Sequence, residues 1–206
     1  MTDQDQPQTR RTRAPGQRSR ARVVEQAAKL ATIEGLEGLS IGRLAEAAGL
    51  PKSSVHALFG SKEQLQLATI NAARDSFITE VVAPAFRAAG PGRARLLALC
   101  EGFLSYVERR VFPGGCFFVA VSAEVGAQAG PVHDEVARIQ QQWRDLLVAE
   151  ARAAVDHGEL PDGTDAAQLA FELGVILAGT NLVSVLHDDL HAISRARTAI
   201  RTRLPG

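Results

Sequence analysis

Cysteine, tyrosine, tryptophan and methionine are scarce in this sequence, whose 206 residues hold two Cys, one Tyr, one Trp and one Met. Two cysteines, Cys100 and Cys116, do not make a disulfide framework and read better as reduced, buried thiols. Long apolar runs are missing as well. Spanning a bilayer takes roughly 20 apolar residues, and the longest candidate, Phe171 to Leu186, is interrupted by Glu172, Asn181 and glycines, so no membrane association is expected. The first residues carry Gln, Asp and Arg in place of the apolar core of a secretory signal, which points to the cytoplasm. Net charge is zero, with 23 basic and 23 acidic residues. That balance hides an asymmetry: up to Ile70 ten Lys or Arg face seven Asp or Glu, and afterwards thirteen face sixteen. Phosphate neutralisation is local, so a neutral sum does not exclude nucleic acid.

A catalytic constellation is also lacking. The histidines His56, His133, His157, His187 and His191 are scattered outside any zinc or nucleophile motif. The run His187-Asp188-Asp189-x-His191 comes nearest to a metal cluster, but such residues at a helix end more commonly form a solvated polar cap. Gly174 and Gly179 sit inside a helical pattern with no preceding strand, which suits close packing and not a phosphate loop. No metal and no cofactor is expected. Cys116 follows Pro-Gly-Gly and precedes two phenylalanines, a setting for an inert core thiol.

Helical periodicity dominates what is present, and 46% hydrophobic content is ample for a core. The stretch from Leu39 to Leu65, LSIGRLAEAAGLPKSSVHALFGSKEQL, reads as two short helices and the start of a third. Ser40 can cap the first, and Gly49 can end it in a left-handed conformation. Pro51 suits the first turn of the next, whose Val55, Leu58 and Phe59 face inward while Lys52, Ser53, Ser54 and His56 face out. Gly60 closes that helix, and Ser61 with Gln64 has the form of a capping box. A helix offering small donors and acceptors beside a lysine suits a DNA major groove.

At these residues the chain resembles the TetR family of transcriptional repressors. The resemblance covers about Arg20 to Ala72: an alanine-rich first helix, a glycine, a serine-started second helix, Ala-Gly-Leu, then Phe-Gly-Ser-Lys-Glu. It departs at His56, where many members carry a tyrosine that contacts the DNA backbone. The resemblance implies an all-α fold, a three-helix helix-turn-helix domain followed by a helical regulatory domain, and a homodimer that represses transcription. Operator DNA is then the macromolecular partner, with Ser40, Lys52, Ser53, Ser54, His56 and Lys62 as candidate contacts.

The expected organisation is a disordered basic arm over residues 1–17, the DNA-binding domain over 18–72 and the regulatory domain over 73–206. Arg10, Arg11, Arg13, Arg18, Arg20 and Arg22 can track phosphates or reach a minor groove; a solvated tail is the plainer alternative. The first helix is predicted over Ser19 to Glu34, with Val23, Val24, Ala27, Leu30, Ala31 and Ile33 on its core face. A long helix from Leu65 carries Phe77 toward the second domain and kinks or ends between Pro84 and Gly90-Pro91-Gly92. Further helices are predicted over about 93–110, 116–124, 132–157, 164–187 and 190–203. Phe77, Phe103, Tyr106, Phe117, Trp143 and Phe171 are candidates for the wall of a cavity taking a small apolar or aromatic effector, although core packing explains any one of them. The last two helices, with Gly174, Ala178 and Gly179 beside apolar residues, are the expected dimer seam. The rival reading is a small helical enzyme using Cys116 or the His187/His191 group, which leaves the helix-turn-helix unexplained.

Overall fold

A computed structural model describes residues 13–205, and every regular element among them is helical. The first helix, α1 (Arg13–Glu34), starts six residues before the predicted Ser19. Pro15 lies in its first turn, where a missing N–H costs nothing, and the Arg, Gln and Ala that follow are good helix formers. Residues 13–17 therefore belong to a helix and not to an arm, whereas the expectations for residues 1–12, Arg10 and Arg11 included, lie outside the described residues. Val23, Val24, Ala27, Ala28 and Ala31 form the buried face of α1, while Ile33, predicted inside, is 65% exposed.

The next two helices are short, α2 (Ile41–Ala48) and α3 (Lys52–Phe59). Ser40 caps α2 by accepting the Arg43 N–H at 3.2 Å, and Gly49 ends it at φ 63°. Leu36, Leu39, Leu44, Val55 and Phe59 are buried between these helices, with Ile41 and Leu58 at the margin. The fourth helix, α4 (Lys62–Phe77), starts at Ser61, whose side chain accepts the Gln64 N–H at 3.1 Å. The capping box is only half made, because the Ser61 N–H bonds to the Phe59 carbonyl at 2.8 Å.

Past Phe77 the chain continues through a π-helical turn, Ile78–Val82, into α5 (Ala83–Ala88), so the helix carries Pro84 in its last segment and ends at Ala88, between Pro84 and Gly90 as expected. In that wider turn the Ala83 N–H reaches back to the Ile78 carbonyl, and a π turn is one way a helix absorbs a local irregularity. The remaining helices are α6 (Arg93–Glu108), α7 (Phe117–Val125), α8 (Pro131–Asp156), α9 (Ala166–Leu186) and α10 (His191–Arg203). The apolar stretch after Cys116 is thus a helix, as its surroundings predicted. Asp165 caps α9 by accepting the Ala167 and Gln168 N–H groups.

With a mean hydropathy of 1.8, α9 is by length and composition alone apolar enough to cross a membrane. It packs instead against α8, α10 and α6, and its polar groups have partners inside the bundle. Asn181 is 3% exposed and accepts the Cys116 N–H at 2.7 Å. The turn before α7 fits closely between neighbours, since a Cβ on Gly114 would stand 2.0 Å from the Thr32 carbonyl oxygen and one on Gly115 2.2 Å from Asn181 Oδ1.

One charge lies deep in the bundle. Glu150 of α8 is 5% exposed; its carboxylate accepts the Gly92 N–H at 2.9 Å and the Arg95 guanidinium at 3.2 Å. Arg95 in turn lies over the Phe86 ring at 4.2 Å. Removing the carboxylate strands a buried donor and a cation, so Glu150→Ala should cost about 3 kcal/mol. The midpoint of urea unfolding measures it, and a midpoint unchanged from the parent would refute this role.

Candidate nucleic-acid interface and internal cavity

The outward side of α3 is built from Lys52, Ser53, Ser54 and His56, all exposed, while Val55 and Phe59 anchor the helix beneath them. The short turn from Gly49 to Pro51 joins α2 to α3, and α3 is presented as an exposed ridge. Ser40 is also exposed, but its side-chain oxygen is occupied as the cap of α2.

Lys62 has an internal role that its sequence position did not reveal. Its ammonium donates to the Glu37 carbonyl at 2.7 Å and to the Glu37 carboxylate at 2.8 Å. Together with the Gln66 amide it holds the Glu37 carboxyl below its ordinary range. Two arginines of the basic run are likewise tied to this unit: Arg22 donates to the Ala48 carbonyl at 3.0 Å, and Arg20 lies over the Phe59 ring at 5.1 Å.

A cavity of about 450 Å³ lies in the second unit, bounded by α4, the π turn, α6, α7, α8 and α9. Its volume suits a drug-sized molecule. Phe77, Phe103, Trp143 and Phe171 are among the residues that line it. Trp143 meets Phe77 edge-on at 5.1 Å and stacks on Phe103 at 6.4 Å. Tyr106 and Phe117 do not reach the wall. Tyr106 lies behind Phe77, with ring centroids 5.6 Å apart, and Phe117 turns into the core while the adjacent Phe118 lines the cavity. Consecutive residues of a helix point about 100° apart, and two phenylalanines in a row give no signal as to which faces in.

Polar wall groups are few. The Gln140 amide donates to Ser122 Oγ at 2.8 Å on one side, and Arg74 and Arg144 also line the cavity. Arg74 is paired with Asp75 at 2.7 Å. Cys116 lines the cavity too, yet burial pushes its thiol up to about 11 from an ordinary 9.0. Burial, with the Glu101 carboxylate secondary, likewise pushes Cys100 up to about 12. Both are therefore protonated and poor nucleophiles near neutrality. The Tyr106 hydroxyl is buried with no hydrogen-bond partner among the described residues, and burial, then the neighbouring Cys116 thiol, raises its pKa.

At the other proposed site, Asp188 pairs with Arg110 and Asp189 with Arg195, while His187 and His191 are exposed. Among the described residues, no group of three or more His, Cys, Asp or Glu side chains is placed to hold a metal ion.

The comparisons with known proteins agree with this geometry. Residues 23–69 match the family model for bacterial regulatory proteins of the tetR family, and residues 92–200 match that of the tetracyclin repressor-like C-terminal domain. The chain belongs to the TetR family of transcriptional regulators. It is accordingly a DNA-binding regulator of the helix-turn-helix type. A TetR regulator from Chloroflexus aurantiacus J-10-FL shares 26% identity over 91% of this chain and 94% of its own, with a TM-score of 0.84. Reduced E. coli NemR shares 20% over 90% and 96%, with a TM-score of 0.76. AibR, solved with isovaleryl coenzyme A and operator DNA, shares 22% over 90% and 98%, with a TM-score of 0.70. No curated protein sequence matches the chain.

The thiol environments lead to a measurable pH dependence. The folded protein holds both thiol protons that the unfolded chain releases near pH 9.0. Their contribution to stability is therefore complete below that pH and is lost as pH rises towards about 11 for Cys116 and about 12 for Cys100. The urea midpoint should fall more steeply above pH 9 in the parent than in a Cys100→Ala/Cys116→Ala protein, and equal slopes would refute the assignment.

Proposed function

We propose that this TetR regulator is a cytoplasmic, homodimeric repressor that leaves its operator when a small, largely apolar or aromatic molecule occupies the cavity. One observation carries the reading. The 16-residue α4 starts at the Ser61 cap, two residues after α3 ends at Phe59, and brings Arg74 and Phe77 to the cavity wall. A single rigid element thus borders both the DNA-reading helix and the ligand space. Release requires that the ligand bind the non-operator conformation better; coupling of about 1 to 3 kcal/mol is usual, and DNA must weaken the ligand by the same factor. The regulator reading is preferred to the small helical enzyme because burial pushes the Cys116 thiol up to about 11 and because Asp188 and Asp189 face arginines.

In the DNA complex, Lys52, Ser53, Ser54 and His56 contact the duplex, with Ser40 and Lys62 close to the backbone. Lys62 acts in two ways, as a cation beside phosphate and as the partner of Glu37. The dimer forms mainly through α9, which exposes Phe171, Val175, Leu182 and Leu186 along one face. Gly179 lies on the same stripe with open space at its Cβ position, so a partner helix can approach closely. The outward face of α10 is polar, carrying Ser194, Arg195, Thr198 and Arg201, and it flanks that apolar seam.

Gel shifts against DNA upstream of its own gene test the reading. A discrete complex should form, and compounds that change Trp143 fluorescence should dissolve it. Lys52→Ala should weaken binding to all sequences and reduce the salt slope by about one unit. Failure to bind any discrete upstream site would sink the reading. Separately, Leu182→Glu should place a charge in the α9 seam and give monomers in sedimentation velocity; a dimer of parental affinity would exclude this face.

A further inference from the structure

We infer that Glu124 is the positioning residue that ties the DNA-reading unit to the cavity wall, so that the state of the cavity sets how α2 and α3 are presented. The inference rests on the cavity being the effector site. Glu124 lies in the last turn of α7. One carboxylate oxygen accepts the Leu36 N–H at 2.8 Å and the other the Glu37 N–H at 2.7 Å. Both amides belong to the turn between α1 and α2, past the bond from the Gly35 N–H to the Ala31 carbonyl that closes α1. Gly35 has φ 79°, and a Cβ there would stand 2.8 Å from the carboxylate. The carboxylate thus occupies the space that a side chain would need.

The same turn is gripped from the opposite side by α4. Gln66, 4% exposed, donates to the Leu36 carbonyl at 3.1 Å and to the Glu37 carboxylate at 2.9 Å, beside the Lys62 pair. On the cavity side, Phe118, Val119 and Ser122 of α7 are wall residues, and Ser122 is bonded to Gln140 of α8. With nine residues, α7 is a rod about 13 Å long. A ligand that moves its wall face moves Glu124 as well. Charge-assisted hydrogen bonds lose strength steeply once they are stretched or bent, so a small displacement releases the turn that leads into α2. This route is separate from α4, and the two converge on residues Leu36 and Glu37.

The test uses the full chain and the operator duplex found by gel shift. In Glu124→Ala, amide hydrogen exchange at Leu36 and Glu37 should rise at least about tenfold while the Gly35 amide is little changed, and operator affinity should fall about tenfold or more. Affinity for non-operator duplex should change less than about twofold, because the phosphate contacts remain. Glu124→Gln, which keeps one acceptor oxygen, should recover part of the loss. Unchanged exchange at Leu36 and Glu37, or an equal loss for operator and non-operator DNA, would overturn the assignment. Ala170→Phe, at a buried wall residue on the inner side of α9 and away from the proposed dimer face, serves as the probe of occupancy. It should raise exchange at the same two amides and weaken operator binding in the Glu124 protein, and it should add nothing in the Glu124→Ala background. Equal effects in both backgrounds would show that the signal bypasses Glu124. No effect in either background would overturn the cavity as the effector site and the signalling role of Glu124 with it, a result distinct from failure of the first arm.

Discussion

Backbone amides outside the helical hydrogen-bond ladder need another acceptor, and the join between the two units of this regulator is made where side chains supply it. The Leu36 and Glu37 N–H groups are met by Glu124, the Gly114 N–H by Thr32 Oγ at 3.1 Å, and the Cys116 N–H by Asn181. Each bond connects segments far apart in sequence. Together they link α1, the turn before α7, α7 itself and α9, so the DNA-reading unit, the cavity and the proposed dimer helix share one set of contacts.

This arrangement explains why the turn before α7 is written Pro-Gly-Gly. Side chains on Gly114 and Gly115 would collide with Thr32 and Asn181, and the bonds that stitch the units together need that close approach. Under the proposed mechanism it also gives α7 a place equal to that of α4. The cavity has both helices in its wall, and both end on the same turn between α1 and α2. In the proposed mechanism a shift passes through rigid rods and short polar contacts and needs no flexible linker.

The helix-turn-helix was legible because its signals are local. Ser40, Gly49, Pro51, Gly60 and Ser61 act on their own turns, and the apolar residues beside them recur at helical period. Most later helices were legible for the same reason; α7 was not, since Phe117-Phe118-Val119 alone could be a strand, and only its helical surroundings and the lack of a partner strand pointed to a helix. The start of α1 was missed because arginine and glutamine resemble a solvated arm in composition while being good helix formers. Pro84 and the Gly90-Pro91-Gly92 break were legible too: the helix turns π-helical just before Pro84 and ends at Ala88, between the two. Lys62 read as a phosphate ligand from its place at a helix start, and its partner Glu37 is 25 residues away.

The sequence by itself determined the helical segments, their caps and the outward residues of α3, because those depend on neighbours within one or two turns. It also marked out the aromatic residues from which a cavity could be built. Only the tertiary structure decided that Phe118 and not Phe117 faces that cavity, that Tyr106 stands behind its wall, and that α9 keeps an apolar stripe exposed. Only the fold, too, brought Glu124 to Leu36 across 88 positions of chain. A carboxylate has no periodicity and no local partner to announce such a contact, and the distance over which it acts is spatial, set by how the helices pack.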